Sequence, residues 1–374
     1  MTTGTNAGQL YSSAPTAPSA YDAGSDVART PMTESERDDV VKLGNKQTKD
    51  LGGAWLLING RFRSESDGAA TESEIQELLC TVFGYPDLDR PPKRTLNVVV
   101  DSPGGSLDSA YKTVLYLSQF AAKLNVYVPY RAKSASTLLA VGADRTYLSP
   151  FAELGPLDTQ IADPRNPANT TSALDCYQSV DYVREFAFQT ILSALPKLIT
   201  ATERRLPVTG LIDTATQFAT SSVAPMLKSV TALDFGSWGR SLRIGESYAV
   251  KLLKKKSTDE DEAAIKQLAW QLVYGYAHHR FPIDYDEAER IGLAVERMSP
   301  SQYKRLRTVV DACRKKSFIG FLSKHESDKE SHRSRKPACE EDEELSTDEH
   351  PQADVGGSPV GIGSRYVAES DRQT

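Results

Sequence analysis

Ser134 is the residue of this sequence best placed to do chemistry. It stands in Arg131-Ala132-Lys133-Ser134-Ala135-Ser136-Thr137-Leu138-Leu139-Ala140-Val141, between an extended segment and the first turn of an apolar helix. About thirty residues upstream, Val98-Val99-Val100-Asp101-Ser102-Pro103-Gly104-Gly105-Ser106 repeats that layout: strand, tight turn of small residues, helix start. Helix starts leave backbone N–H groups without intrahelical partners and favour negative charge. Acyl transfer requires a nucleophile, a base to take its proton, and two donors aimed at the oxyanion. Ser134 supplies the nucleophile, and the N–H of Ala135 lies beside the attacked carbonyl. A second N–H comes from Gly104 or Gly105, because glycine lets the backbone approach a substrate closely and adopts positive φ. Pro103 stiffens that turn without needing a donor of its own. Ser102 and Ser136 compete for the nucleophile's part. Each piece also has an ordinary use: a serine at a helix start is commonly an N-cap, and a Pro-Gly-Gly triplet is commonly a turn.

The elements that must hold these residues follow from apolar patterning. Trp55-Leu56-Leu57-Ile58 reads as a buried strand. Thr71-Glu72-Ser73-Glu74 has a capping-box pattern ahead of Ile75, Leu78, Leu79, Val82 and Phe83 at helical spacing. Leu96 to Val100 is a continuous apolar strand, and Leu107, Ala110, Tyr111, Val114 and Leu115 form one helical stripe after it. Val126 to Val128 opens the next unit, followed by the Ser134 helix, a short Thr146-Tyr147-Leu148 strand and a turn-rich run to Asp158. Alternating strands and helices predict an α/β core with parallel strands. Residues from about 175 to 230 read as mostly helical, and a further helix is expected at about 260 to 276, with Asp259, Glu260, Asp261 and Glu262 crowding its first turn. Phe235-Gly236-Ser237-Trp238-Gly239-Arg240 reads as a connecting loop; it lacks the Lys-Ser/Thr ending and preceding strand of a phosphate loop.

Composition bounds the rest. The chain has 374 residues, is 39% hydrophobic and carries a net charge of −6, which argues against a nucleic-acid-binding surface. The first fifty residues have no apolar core flanked by Lys or Arg, and no apolar stretch elsewhere is long enough to span a membrane. Cys80, Cys176, Cys313 and Cys339 are scattered, with no CxxC pair and no histidine at ligand spacing. That pattern fits reduced thiols in a cytoplasmic protein, with neither a disulfide frame nor a metal site. Residues 1–45 read as a disordered arm and 322–374 as a disordered charged tail, with the functional domain at 46–321. The tail's Glu340-Glu341-Asp342-Glu343-Glu344 run is a solvated acidic block.

Several blocks together resemble the superfamily of Clp proteases, signal peptide peptidase A and crotonases, and within it the serine dehydrogenase proteinase family. They are Val99 to Ser106, Ala132 to Ala140 with Gly142-Ala143-Asp144, Glu153 to Ile161, and His278-His279-Arg280-Phe281-Pro282-Ile283-Asp284 with Glu287-Ala288 and Ile291-Gly292-Leu293. The resemblance spans roughly residues 50 to 300. It implies a Clp/crotonase-like α/β fold of repeated β-β-α units with a helical C-terminal portion, a polypeptide substrate, no cofactor and assembly into a homo-oligomer. It also makes Ser134 the nucleophile, with Ser136 where glycine is usual, and Ala135 with Gly104, ahead of Gly105, the oxyanion hole.

The base is less directly given. The resemblance implies a histidine about 25 residues after the nucleophile, yet Leu154 to Gln160 contains none, and Asp158 is its titratable side chain nearest that place. No lysine occurs between Ser134 and Lys197. Lys133 adjoins Ser134, but neighbouring residues entering a helix diverge. Asp158, Asp175, Lys197 and the His278–His279 pair remain candidates. Histidine has the proton affinity for the task, against an alternative use as a helix C-terminal cap. The expectation is a serine peptidase working through Ser134, Asp158 and His279. A scaffold that has lost its base is the alternative from another class, and an acyl-CoA enzyme of crotonase type ranks behind it.

Overall fold

Strands that are apolar at every position, rather than at every second one, must be covered on both faces. The computed structural model describes residues 30–87, 91–163, 166–203, 205–228, 230–256, 262–313 and 315–323, and it builds that two-sided arrangement. The chain opens with β1 (Thr30–Pro31) and α1 (Glu34–Thr48), then runs β2 (Ala54–Asn59), α2 (Thr71–Phe83), β3 (Thr95–Asp101), α3 (Leu107–Phe120) and β4 (Lys123–Val128). Next come β5 (Arg131–Ala132), a 3₁₀ turn over Ser134–Ser136, α4 (Thr137–Gly142), β6 (Arg145–Leu148) and β7 (Glu153–Leu154). A hairpin of β8 (Gln160–Asp163) and β9 (Asn166–Ser172) leads into α5 (Ala173–Ala201), α6 (Val208–Leu227), α7 (Ala232–Lys254) and α8 (Glu262–Tyr274). The described chain closes with α9 (Tyr285–Arg290), β10 (Val295–Arg297), α10 (Pro300–Ala312) and β11 (Lys316–Ser323).

The main sheet has the order β1-β11-β2-β3-β4-β6-β10, parallel except where β11 pairs with β2. Leu56, Ile58, Val98, Val100, Val126 and Val128 point to one face, against Ile75, Leu79, Val114, Leu117, Leu138 and Leu139 of α2, α3 and α4. Trp55, Leu57, Val99 and Tyr127 point to the other, against Val40 of α1 and Leu306, Val309 and Val310 of α10. Each fully buried side chain of this kind contributes roughly 1.5–3 kcal/mol.

A second, much smaller ribbon runs beside the main sheet. Phe62 bridges to Gly105, Ser102 to Ala132, β5 to β7, and Leu154 to Ile283. β2, β3 and β4 are each followed by a short second strand or bridge and then a helix, which is the repeated β-β-α unit expected, with the helical portion expected beyond it.

Four expectations change. Residues 30–45 do not belong to a disordered arm, because α1 starts at Glu34 with a capping box between Thr33 and Glu36 and packs on β11. Its few apolar residues hid it: the contact depends on Gly44, which leaves room for Leu322, and on the Thr48 hydroxyl, which donates to the Ser323 hydroxyl at 3.1 Å. Leu322 and Ser323, assigned to the tail, complete β11; residues 1–29 and 324–374, with Cys339 and the acidic block, lie outside the described residues. Phe235–Arg240 is not a loop but the second turn of α7, started by a Thr231–Asp234 capping box and buried along Trp238, Leu242, Gly245, Ala249 and Leu252. At α2 the N-cap is Ala70, and the Thr71 hydroxyl instead accepts the N–H of Arg63 at 2.9 Å. Asp259, Glu260 and Asp261 also fall outside the described residues; Glu262 is the acid in the first turn of α8.

A methyl group at Gly44 would lie 2.5–3.0 Å from three atoms of the buried Leu322 side chain. Gly44→Ala is therefore expected to destabilise the fold by about 1–3 kcal/mol despite the better helix propensity of alanine, measured by chemical denaturation.

Candidate active site

Ser134 turns the chain from β5 into α4 within one residue, and its backbone shows the strain. Its φ is 51°, in the left-handed region; among the described non-glycine residues only Glu203 shares that region. Such a conformation costs on the order of 1–2 kcal/mol and persists where surrounding bonds impose it. Here the Thr137 hydroxyl lies 2.9 Å from the Ala132 carbonyl and 2.8 Å from that of Gly155, while the Ser136 N–H donates to the Lys133 carbonyl at 3.1 Å. Ser136 is wholly buried, and its hydroxyl donates to the same Lys133 carbonyl at 2.7 Å, so it braces the turn from inside rather than competing as nucleophile. The far end of α4 is held by Lys256, whose ammonium donates to the carbonyls of Val141 and Ala143. Burial pulls that ammonium down to about 8.

The glycine turn sits directly against Ser134. A Cβ at Gly104 (φ 108°) would lie 2.8 Å from both Ser134 Cβ and the Lys133 carbonyl oxygen. A Cβ at Gly105 (φ 133°) would fall 2.1 Å from the Phe62 carbonyl oxygen. Both positions therefore require glycine for space as well as for φ. The Gly104 N–H donates to the Ser102 hydroxyl at 3.1 Å, which fixes Ser102 as a brace of the turn. The Phe62–Gly105 bridge uses the Gly104 carbonyl and the Ser106 N–H, so the N–H of Gly105 itself faces away from Phe62.

Asp158 joins the serine to a histidine. It is 1% exposed; its backbone carbonyl accepts the Ser134 hydroxyl at 2.9 Å and its Oδ1 accepts the Leu174 N–H at 3.1 Å, at the start of α5. Its Oδ2 faces His279 Nδ1 at 3.2 Å, and the imidazole side chain is 23% exposed. His279 lies in the loop between α8 and Ile283, beyond the helix end, so it is not the helix cap that was the alternative expectation. His278 is exposed, and its Nδ1 accepts the Arg280 N–H at 3.1 Å.

The other base candidates separate clearly. Asp175, in the first turn of α5, stands near the Asp158–His279 pair: desolvation and then the negative charge of Asp158 push its carboxyl upward, partly offset by His279 and His278. Lys197 lies on the same helix about 33 Å further along it and cannot reach the serine. Lys133 is occupied in an ion pair with Glu153 at 3.0 Å and donates to the Arg280 carbonyl at 3.4 Å. Sequence reasoning thus named the residues that converge, but not the pairing of Asp158 with His279 or the presence of Asp175 beside them. The His278-His279 doublet ahead of Ile283 was the available signal, since Ile283 is a rung of the small ribbon.

If the left-handed backbone at Ser134 is strained, Ser134→Gly should be more stable than Ser134→Ala by about 1 kcal/mol, reversing the order found inside an ordinary helix. Both variants lose the same hydrogen bond, so the difference between their denaturation midpoints reads the backbone alone.

The chain is similar to several known proteins. Residues 87–183 match the model of a family described as ClpP-like SDH-type serine proteinases. Two uncharacterized proteins of Methanocaldococcus jannaschii are similar along much of the chain. One is 23% identical over 253 residues, covering 67% of this chain and 70% of that protein. The other is 22% identical over 267 residues, covering 71% and 73%. Among solved structures, a point mutant of ClpP1 from Listeria monocytogenes is similar at 9% identity, covering 69% of this chain and 98% of that one, with a TM-score of 0.32. A mutant of the 1510-N membrane-bound stomatin-specific protease is similar at 15% identity, covering 42% and 66%, with a TM-score of 0.24. Among the described residues no helix is long and apolar enough to cross a membrane. His279 lies outside the matched segment, whereas Gly104, Gly105, Ser134, Asp158 and Asp175 lie within it. Through residues 87–183 the chain is thus similar to the ClpP-like SDH-type serine proteinases.

Proposed function

We propose that this protein is a serine peptidase that cleaves polypeptide through an acyl-enzyme on Ser134. The observation that carries this reading is the position of Asp158, which accepts the Ser134 hydroxyl on its carbonyl and faces His279 with its carboxylate. With Nδ1 turned to Asp158, the imidazole has Nε2 left for the serine proton, and the carboxylate orients the ring and stabilises the imidazolium that forms. A rotation of the Ser134 side chain away from the Asp158 carbonyl brings its hydroxyl to the substrate.

The reaction then runs in two halves. Ser134 Oγ attacks the scissile carbonyl as His279 takes its proton, and the oxyanion accepts the N–H of Ala135 and an N–H of the glycine turn. Gly105 is the better donor of the two glycines, because the N–H of Gly104 is engaged by Ser102. Return of the proton to the leaving amine gives the acyl-enzyme, and water activated by the same imidazole releases it. Substrate clefts completed against neighbouring copies, and a cytoplasmic site of action, belong to the same proposal.

Wild-type protein is expected to react with a fluorophosphonate and to hydrolyse casein-derived peptides, and Ser134→Ala to lose both. His279→Gln should lower turnover on the order of 10²–10⁴-fold. Peptide hydrolysis undiminished in Ser134→Ala would sink the mechanism. The pH–rate profile gives a second check, whose sign follows from charge. Ionised Asp175 favours the imidazolium, so Asp175→Asn makes the base easier to deprotonate and should move the acid limb of kcat/KM to lower pH. An acid limb that stays in place or moves to higher pH in Asp175→Asn would show that Asp175 does not act on the base.

A further inference from the structure

An open cleft lies at the C-terminal end of β2, where Arg37 of α1, Arg61 and Arg63 of the following segment, and Glu74 of α2 line it together with Phe318 and Ile319 of β11. Arg61 and Arg63 flank Phe62, whose ring is buried; in an extended segment alternate residues share a face, so both turn outward together. Two of the three guanidinium groups are held in place. Arg37 stacks over the Phe318 ring at 5.1 Å and donates to the Ile319 carbonyl at 2.8 Å, and Arg63 pairs with Glu74 at 2.6 Å. A guanidinium has five N–H donors, so these contacts leave others for a ligand. Three guanidinium groups face the Glu74 carboxylate, with Asp67 close enough to Arg61 and Arg63 to interact with both charges, and the nearby Lys316 is already paired with Glu36. This is a positive cleft on a chain whose net charge is −6.

Through Arg61 the cleft reaches the glycine turn beside the proposed nucleophile. The Gly104 position abuts Ser134, and the next residue, Gly105, abuts Phe62 and the Arg61 Cγ. A polypeptide lying along that turn advances about 3.3 Å per residue. We propose that the cleft is a substrate subsite for a carboxylate carried two to four residues from the bond cut at Ser134. Arginine recognises carboxylate through paired, charge-assisted hydrogen bonds, and both an acidic side chain and the free C-terminus of a polypeptide offer that group. The inference rests on the reading of Ser134 as nucleophile.

Matched fluorogenic peptides test it. One arm places Glu or Gln at each position from two to four residues on either side of the cleaved bond, and the other compares free with amidated C-termini. Wild-type protein is expected to prefer the carboxylate peptide of at least one arm by about tenfold or more in kcat/KM. The arm that responds identifies the source of the carboxylate. Arg61→Gln should bring that ratio close to one, and Arg61→Lys should keep part of it; Arg61 is exposed, so the fold tolerates both. The same pairs titrated against Ser134→Ala by fluorescence anisotropy separate this proposal from the catalytic one. A carboxylate preference in binding that depends on Arg61 supports the subsite even if wild-type turnover fails. Equal affinities and rates for every matched pair, or a preference that Arg61→Gln leaves intact, would overturn it.

Discussion

The small ribbon beside the main sheet is the constraint on which the candidate site depends. Ser102, Ala132, Leu154 and Ile283 lie side by side in it, joined by backbone hydrogen bonds of 2.8–3.0 Å. Every group assigned to chemistry leaves the chain within four residues of one of those rungs: Gly104 and Gly105 after Ser102, Ser134 after Ala132, Asp158 after Leu154, His279 before Ile283. Tethers that short have little conformational freedom to lose, so registry of the ribbon becomes registry of the side chains. Slipping one rung by a residue would reverse the facing of its group, as in any strand.

Strain at Ser134 makes sense against that background. A residue held two positions from a fixed rung, and required to begin a helix at once, has no room for a gradual turn. The left-handed φ of Ser134 is the consequence, and the Thr137 hydroxyl bonds to Ala132 and Gly155 bind both sides of the turn. Lys133 adds a tie across the ribbon, because its ammonium meets Glu153 of β7 and the carbonyl of Arg280, next to His279. The residue adjacent to the serine thus joins the serine turn to the imidazole loop, a use open to it because its side chain diverges from that of Ser134.

Local patterning made the α/β core legible. Continuous runs such as Leu96–Val100 can only be strands covered on both sides, and the stripe from Leu107 to Leu115 can only be helical. The same logic failed where small residues carry the packing. In α1 the contact is made by Gly44 against Leu322, and in α7 Gly239, one of the two glycines that suggested a loop, sits against the Tyr177 ring, so such glycines instead permit close approach. At the site, residue type and turn chemistry offered Ser134, Gly104 and Gly105 with Ser102 and Ser136 competing, and it was the family resemblance that chose among them. The pairing of Asp158 with His279 was not legible, because it is made by the Leu154–Ile283 rung, between segments far apart in sequence and separated by four helices.

That long-range pairing has an energetic reason independent of catalysis. The Asp158 side chain is fully buried, and a carboxylate removed from water is tolerated only with polar or charged partners. One oxygen has the Leu174 N–H; the other faces His279. Withdrawing the imidazole would leave that buried oxygen facing no polar group, which carries a desolvation cost of about 1–3 kcal/mol. Folding therefore holds the His279 loop down over Asp158, and the Lys133 bond to Arg280 closes the same loop from its other side. The group proposed to take the serine proton is positioned as the polar partner its neighbour needs, so the interaction that stabilises this corner of the fold is the one that would orient the base.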